Sequence, residues 1–281
     1  MGRELSANQV VVLTGAASGI GRATALACAK RGAALALCDL DEERLEQTAG
    51  DARKLGAAGV LREVADVGSS EAVRAFAERV TRELGPADLL VNNAGVAVLG
   101  GFLHTSLDDW RWITETNYWG VVHGCHYFLP PMVERGRGGH VVNVASAAGF
   151  VASESLAAYS TTKYAVVGLS EALRDELGRH GIGVSVICPG FVNTPIVERM
   201  RVRGVDAPDA LRERVGSWYR KRNYDPERVA ESILDAVRDN RAIVPVAPEA
   251  HLLHAMKRLL PSLSPRLLRL LGDLAGPEKS D

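Results

Sequence analysis

From residue 10 to residue 246 the chain alternates between short apolar runs and longer stretches of helical periodicity, a rhythm that few architectures can satisfy. The runs are Val10–Thr14, Ala34–Cys38, Val60–Val64, Leu89–Asn92, His140–Ala145, Val184–Cys188 and Ala242–Val246. They are rich in Val, Leu and Ile and show little of the polar alternation of a half-wet strand, so each is expected to be covered on both faces. Helical patterns fill the gaps at Ile20–Arg31, Glu42–Leu55, Ser70–Leu84, Leu107–Glu134, Leu156–Arg179 and Pro226–Asp239. The last has Asp225 at the N-cap position and Pro226 at the first helical position. Parallel strands need helical crossovers, so the pattern predicts an α/β fold: a Rossmann-type, doubly wound, seven-stranded parallel sheet with helices on both faces. No Pro/Gly/Ser linker interrupts it. Residues 1–249 are therefore expected to form a single domain, with a substrate lid at about 195–224 and a helical extension over 250–281.

Composition narrows the function. A formal net charge of -1 offers no broad basic face, so no nucleic-acid partner is expected. The start Met1-Gly2-Arg3-Glu4-Leu5-Ser6 has no apolar signal region, and no apolar run approaches the ~18 residues of a membrane span. Cys28, Cys38, Cys125 and Cys188 are scattered without metal spacing, as small buried residues of a reduced protein would be, and a cytoplasmic location is expected. His123 and His126 share a helix face, but no further ligand accompanies them, so no metal is expected.

The turn Thr14-Gly15-Ala16-Ala17-Ser18-Gly19-Ile20-Gly21 follows the first strand and opens the first helix. Backbone N–H groups at a helix N-terminus face an anion, and glycines let phosphates approach without a Cβ collision, so this is where a dinucleotide pyrophosphate would bind. The spacing Gly-x-x-x-Gly-x-Gly differs from the commonest fingerprint, and a ligand-free tight turn is the plain alternative. Asp39 closes the second strand, eighteen residues after Gly21. A carboxylate there accepts both ribose hydroxyls of adenosine and repels a 2′-phosphate, which favours NAD over NADP. Asp39 is equally placed to cap the next helix.

Tyr159 and Lys163 stand four residues apart in a helical pattern, with Ser146 thirteen residues upstream. At i and i+4 their Cβ atoms lie about 5–6 Å apart, so a phenol and an ammonium share one face. Moving a phenol from about pH 10 to about 7 needs roughly 4 kcal/mol, which one cation about 4 Å away supplies at an effective dielectric near 20. A solvated helix face is the alternative for the pair taken alone.

Together these motifs resemble the short-chain dehydrogenase/reductase family, of the shorter type, over about residues 8–246. The resemblance implies that Gly15, Ser18, Gly19, Ile20 and Gly21 form the phosphate turn and that Asp66 and Val67 contact adenine. Asn92-Asn93-Ala94-Gly95 would match the turn that steadies the sheet and lines the cofactor cleft. Asn117 would hold a relay water behind Lys163. Pro189, Gly190, Val192 and Thr194 would belong to the segment that binds the nicotinamide carboxamide. Tyr159 becomes the general acid/base, Ser146 the hydrogen-bond donor to the substrate oxygen, and Lys163 the group that binds the nicotinamide ribose and lowers the Tyr159 pKa. The family further implies a homodimer or homotetramer built on the helices of Asn117 and Tyr159, the first of which carries Trp110, Trp112 and Trp119.

The expected activity is NAD(H)-dependent interconversion of a secondary alcohol and a ketone. An NADPH-dependent carbonyl or 3-oxoacyl reductase is the alternative, and a non-catalytic dinucleotide sensor the remote one. Specificity should lie in residues 96–104, 147–156 and 196–224, where Val96, Val98, Leu99, Phe102, Phe150, Val151, Phe191 nearby, Ile196, Met200, Trp218 and Tyr219 suit an apolar, bulky small molecule of steroid, terpenoid or long-chain type. Phe150 and Phe191 are the substrate contacts singled out. Arg199, Arg201, Arg203, Arg212, Arg214, Arg220, Lys221 and Arg222 would equally suit an anionic handle or a solvated lid. In the extension, Leu252, Leu253, Met256 and Leu259 alternate with His251, His254, Lys257 and Arg258, and Pro261 and Pro265 should split it into two short helices. Such a stripe packs on the domain or a sister subunit, or makes peripheral contact with an anionic membrane.

Overall fold

Strand burial sets the layering. All five residues of the first strand and all four of the fourth are buried, as apolar runs without polar alternation require. The computed structural model describes residues 4–259. In chain order it runs β1 (Val10–Thr14), α1 (Gly19–Ala29), β2 (Ala34–Asp39), α2 (Glu42–Lys54), β3 (Gly59–Val64), α3 (Ser70–Glu83), β4 (Leu89–Asn92) and the short β5 (Val98–Leu99). There follow α4 (Leu107–Thr114), α5 (Gly120–Glu134), β6 (Gly139–Val144), α6 (Ala157–Gly178), β7 (Ile182–Pro189), the short β8 (Arg201–Val202), α7 (Pro208–Arg222), α8 (Pro226–Asp239), β9 (Ile243–Val246) and α9 (Pro248–Leu259).

Seven strands form one parallel sheet in the order β3-β2-β1-β4-β6-β7-β9, so the chain reverses direction across the sheet between β1 and β4. The expected doubly wound architecture is thus present. Period-two alternation divides the core: Val11, Leu13, Leu35 and Leu37 pack with α1, α2 and α8, while Val10, Val12, Ala36 and Leu90 pack with α3, α5 and α6 on the opposite face. Each fully buried Leu or Val contributes about 1.5–3 kcal/mol. The edge strand β9 contains Pro245, which an interior strand would not tolerate.

The expected helix Leu107–Glu134 is interrupted. Residues Glu115–Trp119 form a π turn between α4 and α5, and Asn117 within it is fully buried. Asp225 occupies the N-cap of α8 but its side chain makes no capping bond. The predicted second helix after Pro261 and Pro265 lies outside the described residues. No helix among the described residues is long and apolar enough to cross a membrane.

Candidate active site

Parallel strands deliver their following loops to one edge, and here those loops enclose a cleft of about 1020 Å3. Gly15 follows β1, Asp39 ends β2, Asp66 follows β3, Asn93 follows β4, Ser146 follows β6 and Gly190 follows β7, and all six line the cleft. Ser18, Gly19, Ile20, Val67, Ala94, Gly95, Tyr159, Lys163, Pro189, Phe191, Val192 and Thr194 line it as well.

The glycine turn is shaped by close approaches. Gly15 has φ +68°, and a Cβ there would lie 2.8 Å from the Ala94 Cα. Gly21 does not line the cleft; its Cβ would collide with the Gly15 carbonyl, so it serves the packing of α1 against the turn. Asn93 pins the same place, donating from Nδ2 to the Thr14 and Gly15 carbonyls at 3.0 and 3.1 Å. Ser18 sits at the N-cap of α1 without a side-chain capping bond, and no acidic residue occupies the first turn of that helix. The N-terminus is therefore open to an anion.

Asp39 accepts the Ala17 N–H at Oδ2 (2.9 Å) and the Asp41 N–H at Oδ1 (3.0 Å), which fixes its carboxylate beside the glycine turn. It does not cap α2. Asp41 does, accepting from Arg44 N at 3.1 Å. Asp66 accepts the Gly68 N–H at 2.9 Å in a local turn at the cleft rim.

Ser146, Tyr159 and Lys163 come together at the other end. Lys163 is buried, donates to the Val144 carbonyl at 3.1 Å, and has its Nζ 5.6 Å from the centre of the Tyr159 ring. Burial pulls the Lys163 ammonium down to about 8. Burial also pushes the Tyr159 phenol above its ordinary value, while the neighbouring Ser146 hydroxyl pulls the other way. The expected lowering of the phenol is thus absent in the protein alone, because desolvation of the phenolate dominates. Ser146 accepts the Ala148 N–H at 3.1 Å, which holds its hydroxyl at the end of β6.

Asn117 stands behind this group and not on the cleft wall. Its Oδ1 accepts the Val96 N–H at 2.8 Å, and its Nδ2 donates to the Val96 carbonyl at 2.9 Å and to Thr162 Oγ1 at 3.2 Å. Its side chain is committed to shaping the loop after Gly95, and a Cβ on Gly95 would sit 3.4 Å from that amide oxygen.

Phe150 is a correction. It is buried in the core under α9, its ring 4.6 Å from that of His254, and it does not line the cleft. Val98, Leu99, Phe102 and Trp218 also lie off the wall, whereas Val96, Val151, Ile196, Met200 and Tyr219 are on it. Glu249 and Leu253 of α9 line the cleft too, and no motif pointed to them. A carboxylate in the first turn of a helix is commonplace, so the sequence around Pro248 holds no signal that this one turns inward. His123 is turned onto the Val67 carbonyl at 2.9 Å, and no group of three or more potential metal ligands assembles among the described residues.

Residues 9–203 match a family model described as short chain dehydrogenase. The chain belongs to that family. It is similar to Probable oxidoreductase EphD of Mycobacterium tuberculosis, 42% identical over 259 residues and 90% of this chain, although the chain spans only 43% of that relative's length. It is 33% identical to Estradiol 17-beta-dehydrogenase 11 of Mus musculus over 268 residues, covering 94% of this chain and 83% of the relative. A crystal structure of a short chain dehydrogenase/reductase from Burkholderia phymatum in complex with NAD superposes with a TM-score of 0.84 at 31% identity, over 91% of this chain and 94% of that one. The protein is accordingly a member of the short-chain dehydrogenase/reductase family.

Proposed function

We propose that this oxidoreductase interconverts a secondary alcohol and a ketone on an uncharged, apolar, bulky substrate, using NAD(H). The observation that carries the reading is the convergence of Ser146, Tyr159 and Lys163 with the open α1 N-terminus and Asp39 on one cleft. The protein's groups fit the cofactor: the Val192 and Thr194 N–H groups face no partner among the described residues, as a carboxamide would require, and Lys163 has donors beyond its single bond to Val144. Bound in this cleft, NAD would supply a hydride acceptor and, in its oxidised form, a positive charge. Tyr159 takes the hydroxyl proton of the alcohol during oxidation, or returns it during reduction. Ser146 donates a hydrogen bond to the same oxygen, where negative charge develops. Lys163 would hold the nicotinamide ribose and, as an ammonium, offset the cost of the phenolate.

The ion pairs of residues 195–224 support this substrate class. Arg199 pairs with Asp41, Arg201 and Arg203 with Asp109, Arg212 with Asp209, Arg220 with Glu213 and Arg222 with Glu249. These guanidiniums are taken up inside the chain, which supports an uncharged substrate over one with a phosphate or coenzyme A handle. The walls near Tyr159 are apolar: Val96, Val151, Leu156, Ile196, Met200 and Val215. The kinship with an estradiol dehydrogenase supports the same class.

NADPH-dependent carbonyl reduction is the second reading, favoured by one feature. Arg199 lines the cleft near Asp39 and could meet a 2′-phosphate, but Asp41 already holds its guanidinium. Self-association along α5 belongs to the same proposal, since Trp119 is 47% exposed where that helix begins.

Replacing Tyr159 by Phe tests the assignment. Turnover should fall by about 10²–10⁴ while NADH still binds. Near-parental turnover would refute the proton-transfer role.

A further inference from the structure

The loop from Pro189 to Thr194 is held from outside the part of the chain that matches the family model, which ends at residue 203. Glu249 Oε1 accepts the Phe191 N–H at 2.7 Å. Arg222 donates to the Phe191 carbonyl and pairs with the second oxygen of Glu249. One ion pair, from the end of α7 and the start of α9, thus closes on both polar groups of a single peptide residue. Its neighbours are also tied back to protein: Gly190 N donates to Val246 O and Asn193 N to Tyr224 O, each at 2.9 Å. Only Val192 and Thr194 keep N–H groups without a partner among the described residues, and both residues line the cleft.

Two further observations mark Glu249 as built in. A side chain at Gly190 would push the Glu249 carboxylate aside, so the loop glycine leaves the room that this contact needs. The turn that delivers it is strained, with Ala247 at φ 83°, a conformation that a residue with a Cβ adopts at a cost.

We infer that Glu249 is a positioning residue for the cofactor. Together with Arg222 it sets the Phe191 peptide, aims the Val192 and Thr194 donors into the cleft, and makes dinucleotide affinity depend on α7 and α9. This rests on the cofactor reading above.

Fluorescence titration with NADH tests it on the parent, Glu249→Ala, Glu249→Gln, Arg222→Ala and the Glu249→Ala/Arg222→Ala double variant. Loss of a charge-assisted hydrogen bond should weaken NADH binding by about tenfold in Glu249→Ala. Glu249→Gln, whose amide oxygen still accepts from Phe191, should lose less, and the double variant should be no worse than the weaker single. The cofactor KM should rise while the pH dependence of kcat stays where it was. Parent-like NADH affinity in Glu249→Ala, or fully additive losses in the double variant, would overturn the inference. If Glu249→Ala does not fold, parent-like affinity in both Glu249→Gln and Arg222→Ala overturns it equally. A parent that binds neither NADH nor NADPH would instead defeat the cofactor reading itself.

Discussion

Arg199 reaches across the cleft to Asp41, Nη2 to Oδ2 at 2.7 Å, two residues beyond the carboxylate that faces the glycine turn. The guanidinium best placed to greet a 2′-phosphate is therefore engaged by one acid and stands beside another.

Cofactor choice should respond to Asp39. Removing its charge deletes the repulsion of a 2′-phosphate and leaves Arg199 nearby, so Asp39→Ala should shift the ratio of kcat/KM for NADP over NAD upward by about tenfold or more. Paired kinetics with the two cofactors check this. A parent that already prefers NADPH would invert the assignment.

The β8 segment depends on Asp109, whose side chain is 1% exposed and which receives Arg203 at both oxygens and Arg201 at one, with distances of 2.8–3.0 Å. Arg201 also stacks 3.8 Å over the Trp112 ring. The guanidiniums hold the Asp109 carboxyl well below the usual carboxylate range. Both arginines can rehydrate when the partner is lost, so Asp109→Ala should cost about 2–3 kcal/mol, less than a fully enclosed pair. Denaturant melts give the cost, and protease cleavage within residues 199–222 should accelerate.

Acid should weaken the fold through His140. It lies 6% exposed at the opposite edge of the sheet from the cleft, bonded through Nε2 to Ser185 at 2.8 Å, and burial lowers it to about 4 from 6.5. The folded state keeps the ring neutral where the unfolded chain would protonate it. Its contribution is therefore complete above about pH 6.5 and is lost as pH falls towards 4, with an upper bound of about 3 kcal/mol. Melts at pH 7 and pH 5 should show a smaller pH-dependent loss in His140→Gln than in the parent.

The strands were legible because burial on both faces demands uninterrupted apolar runs, and the observed ends of β1 and β4 coincide with those read from residues 10–14 and 89–92. That the glycine turn, Asp39 and the Ser146, Tyr159 and Lys163 group meet on one cleft was legible from their order along the alternating strands and helices. The π turn around Asn117 was not, since a single turn is too short for its periodicity to be told from that of the α-helices on either side. Phe150 was misplaced because an aromatic side chain in a loop carries no mark of which way it faces, and here α9 covers it. Glu249 escaped for the converse reason: its partners Phe191 and Arg222 lie 58 and 27 residues away, and only tertiary structure joins them.

Pro245 has a consequence for how copies of this chain can meet. The carbonyls of Ala242, just before β9, and of Val246, at its end, accept from Val186 of β7 and from Gly190 just after it, so residues 243 and 245 present their backbone to the outside. The proline deletes a donor there without breaking any bond of the sheet. A foreign strand laid alongside would find a gap in the ladder, and fibrous stacking from that border is discouraged by one residue.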